Sequence, residues 1–161
     1  MLLLRVFTPY VLFNIILVFS FSVTVNSYVQ IQNINIIFYI IFHLTFVYFL
    51  FYQYHYSLFI IGFIYGVLLD IFLINEIGSH LITFLILILL YTQIRKYLFQ
   101  LNSFQISLTI FVTLNIILIS ELVFAFLIND IYFNFFQVIK YIIISFILLV
   151  PSLFVLNKID N

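Results

Sequence analysis

The sequence predicts an all-α integral membrane protein, a bundle of six transmembrane helices joined by short loops. Of its 161 residues, 67% are hydrophobic and 6% are charged, whereas globular domains are roughly half apolar and about a quarter charged. The apolar residues fall into runs of near-membrane length that are apolar on every face. Transmembrane strands would alternate polar and apolar residues over about 10 positions, so the runs favour helices over strands.

The predicted spans follow one another closely within one transmembrane domain covering 1–161. They lie at about 9–29, 36–52, 57–74, 79–94, 104–127 and 131–156. The first run is too long for the apolar region of a signal peptide and lacks a small-residue cleavage pattern, so it is predicted to be a retained span. No remaining segment is long enough for a soluble domain that would carry an active site.

Polar clusters between the apolar runs predict the turns. The first three turns lie at 30–35, 53–55 and 75–78, and the last of them contains Gly78. The basic pair Arg95 and Lys96 closes the fourth span, and Asn129–Asp130 separates the fifth span from the sixth.

The basic residues predict that both termini are cytoplasmic. With six spans and a cytoplasmic N-terminus, all the cations of the loops and termini fall on the cytoplasmic side, as the positive-inside rule requires. The opposite turns contain no Lys or Arg and hold Glu76 and Asp130. The topology determinants are therefore Arg5, Arg95, Lys96 and Lys158.

Composition argues against several classes of function. The formal net charge is zero, so no basic surface for nucleic acid is expected. Cysteine is absent, which excludes thiolate chemistry. His43, His55 and His80 are predicted to be separate polar positions, since a metal site needs three or four converging ligands. No catalytic motif is visible, so we expect a protein that is not an enzyme and has no metal or cofactor.

Three small or acidic residues share one face of the third predicted span. Gly62, Gly66 and Asp70 are spaced by four residues, and Gly62-x-x-x-Gly66 is a pattern that allows close helix approach in membranes. Asp70 has three open interpretations. Its carboxylate accepts hydrogen bonds from the free amides at the start of the next helix, it serves as a ligand or proton site, or it reaches interfacial water.

Two opposite charges lie at matching depth in the last two spans. Glu121 precedes the turn near Asp130 by about as many residues as Lys140 follows it. At about 1.5 Å of rise per residue, both side chains lie at similar depth on adjacent antiparallel helices. We therefore predict an intramembrane ion pair between Glu121 and Lys140. The alternative is that Lys140 extends to the interface while Glu121 is protonated or meets a partner polypeptide.

The segment from Gly62 to Arg95 reads GFIYGVLLDIFLINEIGSHLITFLILILLYTQIR. It resembles the signature region of the rod shape-determining protein MreD family of bacteria. That signature has a glycine, an apolar stretch with a second glycine, an Asp, a short turn with a glycine, and an apolar helix that ends in basic residues. The matching positions are Gly62, Gly66, Asp70, Gly78 and Arg95.

The resemblance implies a non-enzymatic component of the bacterial cell inner membrane that helps to organise lateral peptidoglycan synthesis. The implied partners are an MreC-like single-span protein, the actin-like MreB, and the wall-synthesis glycosyltransferase and transpeptidase. In that role, Gly62, Gly66, Asp70 and Gly78 would form a groove that binds a partner's transmembrane helix. The fold would be similar to the substrate-binding subunits of energy-coupling-factor vitamin transporters.

Two other functions remain open. A vitamin-binding transporter subunit fits six short-looped helices with an outer polar cluster of Asp70, Asn75 and Glu76. A small subunit of a respiratory or ion-translocating complex would use Glu121 and Lys140 as relay residues, because intramembrane ionisable groups often mark proton or ion pathways.

Overall fold

A computed structural model describes Ile16 and residues 32–52, 56–73, 78–98, 100–130 and 134–160. This part of the chain is almost entirely helical, which confirms the predicted all-α class. The first predicted span, 9–29, and the topology residue Arg5 lie outside the described residues, apart from Ile16.

Five helices have defined bounds in the described part of the chain. They are α1 (Gln32–Tyr52), α2 (Leu58–Leu73), α3 (Ser79–Leu98), α4 (Ser103–Asn129) and α5 (Phe135–Asp160). Their positions follow the second to sixth predicted spans, with ends that differ by a few residues. The predicted turn at 53–55 and residues 75–77 of the next turn lie outside the described residues, while Gly78 directly precedes α3 and Asp130 directly follows α4. Residues 32–35, predicted as part of the first turn, belong instead to the first turn of α1, because the helix begins earlier than the apolar run.

Two of these helices contain segments long and apolar enough to cross a membrane, Ser103–Ile128 in α4 and Val138–Lys158 in α5. Shorter apolar segments lie at Ile36–Tyr52, Leu58–Phe72 and Ser79–Ile94. Length and composition therefore identify two candidate membrane helices among the described residues.

Helix α1 is at the centre of the arrangement. It packs against α4 and α5, while α2 packs against α3, α3 against α4, and α4 against α5. The rings of Phe42 and Phe46 on α1 contact Tyr65 on α2 and Phe84 on α3. These aromatic side chains are buried, so α1 is enclosed by apolar surface from α2 and α3 as well.

Short links make consecutive helices antiparallel, which gives the bundle two chemically different ends. Asp70, near the end of α2, and His80, near the start of α3, lie at the same end. At the other end, the Tyr48 hydroxyl on α1 donates to Asn157 Oδ1 on α5 at 2.9 Å. The backbone of Arg95 and Lys96, in the last turn of α3, and Lys158, in the last turn of α5, fall at this second end.

Helix α4 has strong signals at both of its ends. Asn102 forms a capping box with Gln105, in which each side chain accepts a hydrogen bond from the other residue's backbone amide. After the last turn, Asp130 takes a left-handed conformation with φ 52°, and its amide donates to the carbonyl of Ala125. These caps fix the limits of the helix that carries Glu121.

The glycine pair allows α2 and α3 of the same chain to approach closely. A Cβ atom added at Gly66 would overlap the backbone of Leu81 on α3, and one added at Gly62 would overlap the tip of the Ile88 side chain. The predicted helix-packing role of both glycines is thus observed within one chain. The predicted groove for a partner's helix on this face is corrected, because α3 already occupies it.

We expect Gly66→Ala to destabilise the protein and Gly62→Ala to be nearly neutral. At Gly66 the new methyl group meets backbone, which cannot move locally, and the overpacking cost of about 1–3 kcal/mol outweighs a gain of about 1 kcal/mol in helix propensity. At Gly62 the new methyl group meets the flexible end of the Ile88 side chain, which can move aside. The overpacking cost is therefore smaller there and nearly cancels the gain in helix propensity. Denaturant unfolding of the two variants in detergent measures the difference, and equal losses would contradict this account of the α2–α3 contact.

Candidate functional site

A buried carboxylate joins α2 to the start of α3. Asp70 is fully buried, and its oxygens accept hydrogen bonds from the backbone amides of Gly78 at 2.7 Å, His80 at 2.9 Å and Leu81 at 3.2 Å. The first amides of a helix have no partner within the helix and carry its positive dipole end. Asp70 therefore caps α3 from a different helix, as the sequence predicted in one of its three interpretations, and the interpretation in which it reaches water is corrected.

The same carboxylate also orients the His80 side chain. His80 Nδ1 lies 2.7 Å from Asp70 Oδ1, and the Ser79 hydroxyl donates to that oxygen at 3.2 Å. His80 is therefore held at both its backbone amide and its ring. The other ring nitrogen, Nε2, lies 3.1 Å from the hydroxyl oxygen of Tyr39 on α1.

A second buried carboxylate continues this chain of contacts into α4. The Tyr39 hydroxyl donates to Glu121 Oε2 at 2.5 Å, and His43 Nε2 lies 2.9 Å from Glu121 Oε1. The His43 ring is fixed on its other side by a 2.7 Å contact between Nδ1 and the backbone carbonyl of Tyr39, one turn earlier. Tyr39 and His43 thus hold both oxygens of Glu121.

These contacts form one continuous network across four helices, in which Tyr39 is partly buried and the other members are buried. Its members are Asp70 on α2, His80 on α3, Tyr39 and His43 on α1, and Glu121 on α4. Asp70 and His43 are 0% exposed, Glu121 is 2% exposed and His80 is 4% exposed. Buried carboxylates are costly without partners, and here each has a histidine within ion-pair distance. The network can therefore be electrically neutral overall while it keeps ionisable groups inside an apolar bundle.

The predicted ion pair between Glu121 and Lys140 is corrected by this arrangement, because the Glu121 carboxylate is bonded to Tyr39 and His43. The depth argument placed Glu121 correctly inside the bundle. Depth follows from rise along the helix, but the choice of partner depends on which way each side chain points around the helix axis. Helix α4 is apolar on all faces, so the sequence contains no signal for that direction.

The three histidines were expected to be separate polar positions, and for two of them this expectation is wrong. His43 and His80 belong to one network, while His55 lies outside the described residues. His43 and His80 lie on different helices, so their spacing in the sequence does not indicate that they meet. The one available signal is that the apolar spans contain two acids, Asp70 and Glu121, and each buried acid needs a partner. Tyr39 was missed entirely, because it is one of 12 tyrosines in the chain and has no distinguishing spacing.

Gly78 lies in a tight position beside the network. A Cβ atom at Gly78 would approach the side chain of Ile128, near the end of α4, at 3.3 Å. The amide of the same residue donates to Asp70. Gly78 therefore brings the start of α3 close to both α2 and α4, which agrees with its predicted helix-packing role.

Metal binding is not indicated by this geometry. Within the described ranges, no group of three or more His, Cys, Asp or Glu side chains converges in a way that would hold a metal ion. The network instead consists of paired hydrogen-bond donors and acceptors, and the chemistry available to it is hydrogen bonding and proton exchange.

In comparisons with known proteins, no family model matches the chain, and no curated protein or solved structure matches it.

Asp70→Ala is expected to reduce stability strongly, and Asp70→Asn is expected to have a smaller effect. Alanine leaves three backbone amides at the start of α3 and the His80 ring without their acceptor, and removing one member of a buried ionic pair costs about 3–5 kcal/mol. Asparagine keeps one acceptor oxygen. Unfolding in detergent, followed by circular dichroism, should show that the wild type is the most stable protein, Asp70→Asn is less stable and Asp70→Ala is the least stable. Equal stability of the wild type and the alanine variant would contradict the capping role.

Exchanging the charges of Glu121 and Lys140 should not restore a protein damaged by Glu121→Lys. The double variant with Glu121→Lys and Lys140→Glu still lacks the acceptor that Tyr39 and His43 require. The yield of monodisperse protein in size-exclusion chromatography measures the effect, with Lys140→Glu alone as the control. Recovery of wild-type yield in the double variant would restore the original ion-pair hypothesis.

Proposed function

We propose that this chain is a multi-pass, non-enzymatic component of the bacterial cell inner membrane that acts in the rod-shape and cell-elongation system, like the MreD family it resembles. In this proposal the chain forms six spans with both termini in the cytoplasm. Its partners are an MreC-like single-span protein, and through it MreB-type filaments and the peptidoglycan-synthesising enzymes.

The observation that carries the proposal is the shared role of the residues that make up the resemblance. Gly66 allows α3 to approach α2, Asp70 caps α3, and Gly78 supplies one of the capped amides and contacts α4. The matching residues Gly62, Gly66, Asp70 and Gly78 all lie in or beside the α2–α3 hairpin, as expected for a family whose signature specifies this hairpin. Arg95, the last residue of the resemblance, falls at the opposite end of α3.

A membrane environment is supported by the outer surface of α5. Large apolar side chains cover much of this helix, including Phe136, Phe146 and Val150, which are 77%, 66% and 73% exposed. Soluble proteins rarely expose apolar patches larger than a few hundred Å². Lipid hydrocarbon as the surrounding medium removes this difficulty, since the same side chains are then in their preferred solvent.

The distribution of charge supports the proposed orientation. The acid–histidine network lies at one end of the bundle, and the positions of Arg95, Lys96 and Lys158 lie at the other. With the basic end in the cytoplasm, the cations at the ends of α3 and α5 follow the positive-inside rule, whereas Lys140 lies within α5 towards the other end. The Asp70 end of the bundle is then near the outer surface.

The surface that would bind a partner differs from the one expected from the glycine spacing. The face of Gly62 and Gly66 is covered by α3, so a partner's helix must contact a different surface. A loss of partner binding in Gly66→Leu would therefore report a misfolded hairpin and would not locate the interface. A transporter role for the Asp70 region is also weakened, because this carboxylate is buried against α3. Asn75 and Glu76, the other members of that cluster, lie outside the described residues.

Depletion of the protein in its own bacterium, followed by microscopy, tests the proposal. We expect rods to become round within a few generations, and a wild-type copy of the gene to restore them. A copy with Asp70→Ala should fail to restore rods, whereas a copy with Gly62→Ala should succeed because its packing defect is small. Cells that remain rod-shaped after depletion would overturn the proposed function.

A biochemical test uses the purified complex. A single-span membrane protein with a coiled coil should co-purify with the wild-type chain and with Gly62→Ala. A small molecule retained through purification, without such a protein partner, would favour the vitamin-transport alternative.

A further inference from the structure

The hydroxyl of Tyr39 lies between a carboxyl group and a histidine ring. Its oxygen is 2.5 Å from Glu121 Oε2 and 3.1 Å from His80 Nε2. A phenol has one hydrogen and therefore donates to only one neighbour at a time. The other neighbour must donate to the phenol oxygen if both contacts are hydrogen bonds.

In both histidines, the Nδ1 atom faces a group that can only accept a hydrogen bond. His80 Nδ1 faces Asp70 Oδ1, which already accepts a backbone amide. His43 Nδ1 faces the carbonyl oxygen of Tyr39, which only accepts. Both Nδ1 atoms therefore carry hydrogen. The protons that can vary are therefore those on the two Nε2 atoms and on Glu121.

Two arrangements of protons in which His43 donates from Nε2 satisfy the contacts given above for Glu121, Tyr39 and His80. In the first, Glu121 is a carboxylate that accepts from Tyr39, and His80 is an imidazolium whose Nε2–H donates to the Tyr39 oxygen. In the second, Glu121 is a carboxylic acid that donates from Oε2 to the Tyr39 oxygen, while Tyr39 donates to the neutral His80 Nε2. His43 donates from Nε2 to Glu121 Oε1 in both, and the total number of protons is the same.

We propose that Glu121, Tyr39 and His80 form a proton-binding site in which one proton moves between Glu121 and His80 through the Tyr39 hydroxyl. Starting from the second arrangement, the Oε2–H bond of Glu121 and the Oη–H bond of Tyr39 break. A new Oη–H bond forms on Tyr39 and an Nε2–H bond forms on His80. The carboxylic acid becomes a carboxylate, the imidazole becomes an imidazolium, and the net charge does not change.

Opposing physical effects act on the two arrangements. Burial in a medium of low dielectric favours the arrangement with fewer charges. Against this, the Asp70 carboxylate beside His80 favours the imidazolium, and the hydrogen bond that His43 Nε2 donates to Glu121 Oε1 favours the carboxylate. From α5, the Tyr141 ring lies 6.2 Å from the Tyr39 ring, and the half-buried Lys140 is the adjacent residue. The transfer thus connects α1, α3 and α4 without taking a proton from solvent.

The position of the His80 proton can be measured by nuclear magnetic resonance. The full-length protein, labelled with ¹⁵N-histidine, is reconstituted in nanodiscs of phosphatidylcholine, and the His80 signals are assigned with His55→Gln and His80→Gln. In the wild type we expect an Nε2 chemical shift between the neutral and imidazolium limits. This shift should drift with temperature at constant pH, because the two arrangements exchange and differ in enthalpy.

The variants separate a shared proton from simple titration. Tyr39→Phe removes the bridging hydroxyl, so the His80 Nε2 shift should move to one limit and lose its temperature dependence. Tyr141→Phe is the matched control on α5, and it should retain the wild-type behaviour. Glu121→Gln provides a second arm if Tyr39→Phe does not fold, because an amide has no carboxyl proton to transfer and the shift should again lie at one limit.

A wild-type Nε2 shift that stays at either limit at all temperatures would overturn the proposal. An intermediate, temperature-dependent shift that persists unchanged in Tyr39→Phe or in Glu121→Gln would overturn it as well. The measurement uses purified protein and is independent of cell shape, so its outcome is distinct from that of the depletion experiment.

Discussion

The carboxylate of Asp70 at the start of α3 is the interaction on which the other features of the site depend. An isolated charge in this apolar bundle would be very unfavourable. Three backbone amides, a serine hydroxyl and a histidine ring surround it instead. Two of these amides belong to the first turn of α3, and the third belongs to Gly78, directly before it, so the same charge fixes the start of α3 relative to α2. The helix dipole and the carboxylate stabilise each other.

The Asp70 carboxylate also affects side-chain positions on α1 and α4, through His80. It sets the ring orientation of His80, which places Nε2 next to the Tyr39 hydroxyl on α1. Tyr39 in turn contacts Glu121 on α4, and His43 binds the second oxygen of that carboxylate. In the low dielectric of an apolar interior, such contacts are strong when all partners are present and costly when one is lost. The network therefore specifies how the four helices are arranged, more than it adds to their stability.

Residues that build the bundle are distinct from the surfaces that could meet another molecule. The glycines and the acid that carry the family resemblance are used within the chain, where they form the α2–α3 hairpin. Surfaces available to lipid or to a partner lie elsewhere, most extensively along α5. The buried network adds a property that neither the composition nor the resemblance suggested, since it brings ionisable groups from four helices together at one end of the bundle.

By itself, the sequence determined the all-α class, the limits of five helices to within a few residues and the close approach at Gly62 and Gly66. The capping role of Asp70 was one of three interpretations that the sequence left open. These features follow from local quantities, namely apolar run length, spacing along one helix face and the free amides after a short turn. Only the tertiary structure decided the partners of Glu121 and the joining of His43 with His80. Those contacts depend on the rotation of each helix about its axis, and helices that are apolar on all faces carry no sequence signal for that rotation.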